Sequence, residues 1–274
     1  MFNKLPGEVK DMLDSVIIGK YVPGTSPIHL MDPRSKLLMV FFFVFIVFLA
    51  NNWISYTILG IFTIAIVLLS RIPIKFFIKG LKPILWVILF TFLLHFFFTK
   101  DGDVVVTIGS FEVYSEGVKQ GIFISLRLLF LIVMTTLLTL TTTPIEVTDG
   151  IESLLFPFKR FGLPVHELAL MMSISLRFIP TLMQETDKIM KAQSARGVDF
   201  TTGSIKDRMK AIVPLLVPLF ISAFKRAEDL ATAMEARGYR GGEGRTKYRN
   251  LKWNTIDTIV MVVLAGLAAA LFFL

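Results

Sequence analysis

The chain has 274 residues, of which 54% are hydrophobic and 26 are phenylalanine, and its formal net charge is +8. A soluble domain of this length needs far less apolar surface, so the composition indicates a membrane protein. Cysteine is absent, which excludes disulfide bonds, thiolate catalysis and cysteine-ligated metals. Basic and acidic residues are mixed and flank apolar runs, which disfavours a nucleic-acid-binding protein.

Residues 1–36 form the first predicted segment and precede any long apolar run. They mix charged residues with proline and glycine. A signal peptide needs a short apolar core followed by a cleavage site, and this stretch has neither. We predict that residues 1–36 are a cytoplasmic N-terminal segment.

Five apolar runs predict membrane-spanning helices. They are residues 37–50, 53–70, 83–98, 118–140 and 255–274. A helix needs about 20 residues to cross the hydrocarbon, a length that the last two runs reach and that the first and third do not. Residues 37–70 could instead form one buried hairpin that only just spans, or a single long helix, which Asn51 and Asn52 disfavour. Helices are preferred to an open sheet because lipid offers the backbone no hydrogen-bond partners.

The distribution of lysine and arginine predicts the orientation of the chain. Residues 71–82 hold four basic residues and no acid, and residues 143–253 hold 17 basic residues against 12 acidic ones. Residues 99–117 hold one lysine against four acids. Because cytoplasmic loops carry the excess of lysine and arginine, the N-terminus and residues 143–253 are predicted to be cytoplasmic. The acidic loop and the C-terminus are predicted to lie outside.

Residues 143–253 are too long for a plain loop, and three helices are predicted within them. These helices are expected at about Pro144–Phe156, Val165–Ala195 and Val213–Arg237, and Pro180 should kink the second of them. We therefore predict an all-α membrane protein. It has about five transmembrane helices, four in residues 37–142 and one in residues 254–274, and a cytoplasmic module of three amphipathic helices in residues 143–253.

The second and third of these helices carry apolar stripes with a helical period. The stripe of the second helix comprises Leu168, Met172, Leu176, Ile179, Met183 and Met190. The stripe of the third comprises Ile212, Leu216, Leu219, Ala223, Ala227, Leu230 and Met234. The run 212–223 is too short to span and contains two prolines. It is therefore predicted to lie at the membrane surface or to pack on other helices.

The tripeptide Ala-Arg-Gly closes both of these helices, as Ala195-Arg196-Gly197 and as Ala236-Arg237-Gly238. Glycine just past a helix end adopts the left-handed conformation that closes the last turn, and a cation there is favoured by the helix dipole. Two ordinary helix ends would explain both motifs equally well. The alternative is that each arginine pairs with carboxylates or carbonyls in a groove of a partner, for which the guanidinium fork is well suited.

At these residues the chain resembles the transmembrane T component of the energy-coupling factor (ECF) transporters, which import vitamins and metal ions into prokaryotic cells. The resemblance covers nearly the whole chain. It includes the N-terminal stretch Gly19–Leu37, especially Asp32-Pro33-Arg34-Ser35-Lys36, and the stretch Ser175-Leu176-Arg177-Phe178-Ile179-Pro180.

The resemblance implies a complex with two ATP-binding-cassette ATPases and an interchangeable membrane S component that captures the substrate. Each Ala-Arg-Gly motif would dock on one ATPase, through Ala195, Arg196, Gly197, Ala236, Arg237 and Gly238. An apolar platform for the S component would use Leu168, Met172, Leu176, Ile179, Met183, Leu216, Leu219, Ala223, Leu230 and Met234. The three cytoplasmic helices would be coupling helices of a multi-pass protein in the prokaryotic plasma membrane.

The sequence carries no sign of a catalytic centre of its own. It contains no Gly-x-x-x-x-Gly-Lys-Ser/Thr loop, so ATP is expected to be bound by the partner ATPases, with no cofactor, metal or enzymatic activity in this chain. His29, His95 and His166 are scattered and are expected to be structural. Residues 241–244 are predicted to be a flexible linker.

Arg127 is the one charge well inside a predicted span. Intramembrane ionisable residues are costly and often functional, but Arg127 could also pair within the bundle or with a partner subunit. Both interpretations stay open at this point.

Several rival functions remain. A membrane enzyme would need an acidic or His-rich cluster, and a channel or secondary transporter would place polar groups at mid-membrane; neither pattern is found. A conventional ABC importer subunit normally has one coupling helix, whereas this chain has two helices that end in an arginine motif. A dedicated metal-ion ECF transporter is the remaining alternative. The N-terminal stretch looks more like the shared, vitamin-type T component.

Overall fold

The protein is described here by a computed structural model, which covers residues 21–99, 101–108, 111–198, 200, 205–241 and 250–274. The helices are α1 (Pro33–Leu49), α2 (Trp53–Ser70), α3 (Ile74–Phe98), α4 (Ser115–Thr141), α5 (Pro144–Leu155), α6 (Val165–Ala195), α7 (Ile205–Ala236) and α8 (Thr255–Phe273). A short antiparallel hairpin of β1 (Val104–Ile108) and β2 (Phe111–Tyr114) joins α3 to α4. The prediction of an all-α membrane protein is confirmed, and the hairpin is a small addition within the predicted outer loop.

Four of the described helices, α2, α4, α6 and α8, are long and apolar enough to cross a membrane. A fifth candidate is α3, which bends by 57° between Ile74–Lys82 and Ile84–Phe98. The residue at this bend is Pro83, which has no backbone N–H for the helical ladder. The number of candidates, judged by length and composition alone, agrees with about five predicted spans, although this criterion selects α6 and not α1. Helix α1 has 17 residues, fewer than the about 20 residues that a helix needs to cross the hydrocarbon. Helix α6 is the least apolar of the four candidates but is long enough to cross.

The chain divides into two compact units. The bundle unit comprises Met1–Ser153 and Leu251–Leu274, and the coupling unit comprises Leu154–Asn250. The predicted boundaries at residues 36, 142 and 253 refer to the position of the membrane and stay predictions. The predicted linker at residues 241–244 lies, except for Gly241, outside the described residues.

The core of the bundle unit lies where α1, α2, α4 and α8 meet. Its most deeply buried apolar side chains include Phe43, Leu59, Met134, Leu137 and Leu264. Each comes from a helix that is apolar on most sides, as expected for helices packed within a membrane. These contacts hold the first and last described helices in one bundle.

A buried carboxylate joins the two ends of the bundle unit. Asp257, in the first turn of α8, is fully buried and accepts hydrogen bonds from the backbone N–H of Asp32 at 2.9 Å and from that of Asn254 at 2.7 Å. The Ser35 hydroxyl donates to the same carboxylate. A buried carboxylate is tolerated only where such donors compensate its lost hydration. This contact bridges more than 200 residues of sequence.

The stretch Asp32-Pro33-Arg34-Ser35-Lys36 builds the start of α1. The side chain of Asp32 caps the helix by accepting from the Arg34 N–H at 2.8 Å, and Pro33 occupies the first helical position. Lys36 is buried, and its ammonium group donates to the carbonyl oxygens of His29 at 3.2 Å and Thr141 at 3.0 Å. The charged residues of this stretch therefore have structural partners.

Arg127 caps the end of α1 from within α4. Its guanidinium donates to the carbonyl oxygen of Ala50 at 3.3 Å and lies 4.9 Å from the ring centroid of Phe48. Ala50 is the C-cap residue of α1, and a cation at that position is favoured by the helix dipole. Of the two interpretations left open, pairing within the bundle is the one that the structure supports.

In the coupling unit, α7 begins at Ile205, eight residues before the predicted start at Val213. Pro214 and Pro218 lie inside this helix. Each proline removes only one helical hydrogen bond, and the long helix continues through both.

Candidate functional site

The first motif, Ala195-Arg196-Gly197, forms the end of α6. Gly197 has a φ of +87°, and its N–H donates to the carbonyl oxygen of Ser194 at 3.0 Å. The next N–H, that of Val198, donates to the carbonyl oxygen of Gln193 at 3.1 Å. These two bonds are the Schellman pattern, in which a left-handed residue closes the last turn.

The second motif, Ala236-Arg237-Gly238, closes α7 with the same geometry. Gly238 has a φ of +74°, and its N–H donates to the carbonyl oxygen of Glu235 at 2.9 Å. The N–H of Tyr239 donates to the carbonyl oxygen of Met234 at 3.0 Å. The prediction that both glycines close a helix in the left-handed conformation is therefore confirmed.

Both arginines are exposed at the tips of their helices. Arg196 and Arg237 each occupy the position before the left-handed glycine, where the chain turns away and leaves the side chain open to solvent. We refer to Arg196 with its two neighbours as the first tip and to Arg237 with its two neighbours as the second tip. The tips present the same chemical group on the same backbone geometry.

The two tipped helices pack against each other in opposite directions. The carboxylate of Glu185 accepts from Arg226 at 3.0 Å and from the Ser222 hydroxyl. Further along α6, the Gln193 amide donates to the carbonyl oxygen of Pro214 at 3.4 Å. As the residue number rises along α6, the partner number falls along α7, so the helices run antiparallel.

The Gln193 contact depends on a proline. Pro218 has no N–H, and the helical partner that this N–H would have had is the carbonyl oxygen of Pro214. The freed carbonyl oxygen is the atom that the Gln193 amide binds. A residue that weakens α7 locally therefore creates a polar contact with α6.

The antiparallel arrangement separates the tips. The first tip follows Gln193, next to Pro214, whereas the second tip lies at the far end of α7. The stretch of α7 from Pro214 to Arg237 spans roughly 35 Å at the usual helical rise. Two exposed arginines that far apart cannot enter one groove, but they can enter two.

Comparison with known proteins identifies the family of the chain. The chain matches the CbiQ family, described as a cobalt transport protein, over residues 24–248. The energy-coupling factor transporter transmembrane protein EcfT of Bacillus subtilis (strain 168) is 69% identical over 263 residues, which cover 96% of this chain and 99% of that protein. The proteins of the same name from Listeria innocua and Streptococcus thermophilus are 58% and 50% identical, with the same shares covered.

The chain belongs to the T components of the energy-coupling factor transporters. Like its relatives, it is a multi-pass membrane subunit of a transporter. The similarity extends over both units of the fold, so it includes the two tips as well as the bundle.

The apolar residues predicted for the platform of this T component differ in exposure. Leu168, Met172, Ile179 and Leu216 are exposed, and the other six are half-buried, namely Leu176, Met183, Leu219, Ala223, Leu230 and Met234. Their assignment to a platform stays a prediction.

A second apolar face of α7 was missed by the sequence reasoning. Val213, Val217, Phe220 and Phe224 recur at helical spacing, and the two phenylalanines expose 61% and 73% of their surface. The period was visible in the sequence, but two neighbouring apolar stripes share it. Only the packing of α7 in three dimensions identifies which stripe stays exposed. We call these four residues the outer face.

Two of the three histidines, His29 and His95, are held by local bonds. His29 hydrogen-bonds with the Ser26 hydroxyl and with the carbonyl oxygen of Val22, and His95 with that of Thr91. Within the described ranges, no three histidine, aspartate or glutamate side chains come together as a metal site requires.

Proposed function

We propose that this T component links two ABC ATPases to a membrane S component in an ATP-driven micronutrient importer. The observation that carries the proposal is the pair of tips: two exposed arginines on matching Schellman caps, at opposite ends of an antiparallel helix pair. Each tip would dock on one ATPase, with the arginine binding carboxylates or carbonyl oxygens there.

ATP would be bound and hydrolysed by those partners, because the sequence of this chain carries no phosphate-binding loop. This chain would need no cofactor and would act as a non-catalytic coupling subunit. Its place would be the plasma membrane of a prokaryote, with a cytoplasmic N-terminus.

The S component would bind an apolar surface of the coupling unit. Methionine and leucine side chains of the predicted platform can repack around different partners. The outer face supports this role further, because its phenylalanines are large and exposed and an exposed apolar patch marks an interaction surface.

ATP-driven closure of the ATPases would move the tips relative to each other. Since α6 and α7 are joined by the Glu185–Arg226 ion pair and the Gln193 contact, movement at the tips would change the crossing of the two helices. The apolar surface would be reshaped, and the S component would tilt and release its substrate inside. This is a rigid-body mechanism.

The proposal is tested by charge reversal at the tips. Arg196→Glu and Arg237→Glu, singly and together, are expressed with the ATPases and an S component. We expect each single variant to weaken the co-purification of ATPase and to lower substrate uptake, and the double variant to abolish both. A carboxylate would repel the acidic groups that the arginine binds.

Arg160→Glu is the matched control, because Arg160 is an exposed arginine of the same unit that belongs to neither tip. It is expected to leave assembly and uptake intact. A double tip variant that keeps wild-type uptake and ATPase coupling would refute the scaffold role.

A dedicated metal-ion transporter is the second candidate, since the matching family is described as a cobalt transport protein. The N-terminal stretch favours the vitamin-type version. Uptake of labelled vitamins and of labelled Co²⁺ by the same reconstituted complex separates the two.

A further inference from the structure

A cavity of about 690 Å³ lies within the coupling unit, beside the second tip. Its walls come from the N-terminal half of α6 and from the C-terminal end of α7 with the residues that follow it. The antiparallel packing brings these segments together. The volume lies within the range of small-molecule sites.

Three arginines are among the residues that line this cavity, namely Arg177, Arg237 and Arg240. In the described part of the chain, no carboxylate lies within salt-bridge distance of any of them. Ser173 also lines the cavity, and its side chain can donate a hydrogen bond. Three arginines around one space, with no acidic partner among the described residues, suit an anion, because their mutual repulsion falls when an anion enters.

The remaining walls are apolar. Leu170, Ile174 and Phe178 contribute from α6, and Leu230 and Met234 from α7. All five are half-buried. An inorganic anion gains nothing from such walls, whereas an anion that carries a hydrocarbon part buries apolar surface against them.

We propose that this cavity binds an anionic phospholipid, with the phosphate between the arginines and the upper acyl chain along the apolar walls. Basic pockets on the cytoplasmic side of membrane proteins suit such headgroups. An acidic peptide fits less well, because its backbone would bring polar groups that five apolar side chains cannot satisfy.

The proposed lipid would connect the second tip to the membrane. Arg237 belongs both to the cavity and to the second tip, so a bound phosphate would restrict the arginine that docks on the ATPase. Arg177 lines the cavity but belongs to neither tip. The lipid site can therefore be tested without altering the docking motif.

The test measures lipid retention by the full complex in a neutral detergent. Native mass spectrometry follows the binding of phosphatidylglycerol, of phosphatidylcholine with the same acyl chains, and of inorganic phosphate. We expect the complex to retain phosphatidylglycerol and to bind the other two far more weakly. Arg177→Gln should lower the affinity for phosphatidylglycerol about tenfold, as expected when a charge-assisted hydrogen bond is lost.

Arg160→Gln is the matched control and should leave that affinity unchanged. Arg240→Gln provides a second cavity variant if Arg177→Gln fails to assemble. Equal retention of both phospholipids would overturn the proposal, and so would displacement of phosphatidylglycerol by inorganic phosphate at similar concentration. Loss of ATPase from Arg177→Gln with unchanged lipid retention would assign the cavity to an acidic segment of the partner, and would also overturn it. Because the tips are intact in these variants, failure here leaves the scaffold role standing.

Discussion

Gly197 and Gly238 determine how the chain leaves each arginine-tipped helix. Among the described residues, and leaving out the adjacent ones, no atom lies within 4 Å of the position that a Cβ would take at either glycine. Space is therefore not what selects glycine there. The positive φ selects glycine, because any residue with an L side chain costs about 1–2 kcal/mol in that conformation.

We expect Gly197→Ala and Gly238→Ala each to loosen the last turn of their helix, at a cost of about 1 kcal/mol. Amide hydrogen exchange at the helix ends measures the loosening, and co-purification measures the effect on ATPase binding. Gly266→Ala is the control, since Gly266 lies inside α8 with equally open space and no positive φ. Unchanged exchange at both tips would show that the caps do not depend on glycine.

The contacts of Arg127 with Ala50 and Phe48 indicate a structural role. Arg127→Leu removes the donor to the carbonyl oxygen of Ala50 and should lower the free energy of unfolding by about 1–3 kcal/mol. Assembly and uptake should persist. The control is Lys119→Leu in the same helix, since the Lys119–Glu116 pair is partly exposed and such a pair contributes little. Loss of uptake by an assembled Arg127→Leu complex would show a role in transport instead.

At the scale of elements, the antiparallel packing of α6 and α7 is the feature on which the separation of the tips depends. The chain has no cysteine, so introduced cysteine pairs react without background. A short bis-maleimide should cross-link Gln193→Cys to Pro214→Cys but not Gln193→Cys to Asp229→Cys. If the helices instead ran parallel from the Glu185–Ser222 contact, the second pair would react. Gel mobility of the cross-linked chain decides between them.

How far the sequence predicts these elements depends on the range of the interactions. The helix ends at Gly197 and Gly238 follow from local backbone preferences and were predicted. The contact of Asp257 with Asp32 and Ser35 was not predicted, because no local sequence pattern pairs residues more than 200 positions apart. The outer face was missed because two stripes share one helical period.

At the scale of the whole molecule, the fold holds a closed bundle and a second unit that carries both tips. The bundle is closed by Asp257, which fixes the start of α8 to the start of α1.

The proposed orientation is tested in the same cysteine-free background. A membrane-impermeant maleimide applied to whole cells should label Asp101→Cys, in the acidic loop, and should not label Arg160→Cys. Both positions are exposed, so access to the reagent depends on the side of the membrane. Permeabilised cells should label both. The reverse pattern in whole cells would invert the proposed topology.

The central claim is that the two tips contact two ATPases, and photo-cross-linking tests it most directly. A photoreactive amino acid replaces Ala195 in one variant and Ala236 in another, both exposed beside the tip arginine, with a third variant at Arg160 as the control. Irradiation of membranes that contain the whole complex should join each tip to an ATPase subunit and should join the control to none. An actively transporting complex in which neither tip captures an ATPase would contradict the account.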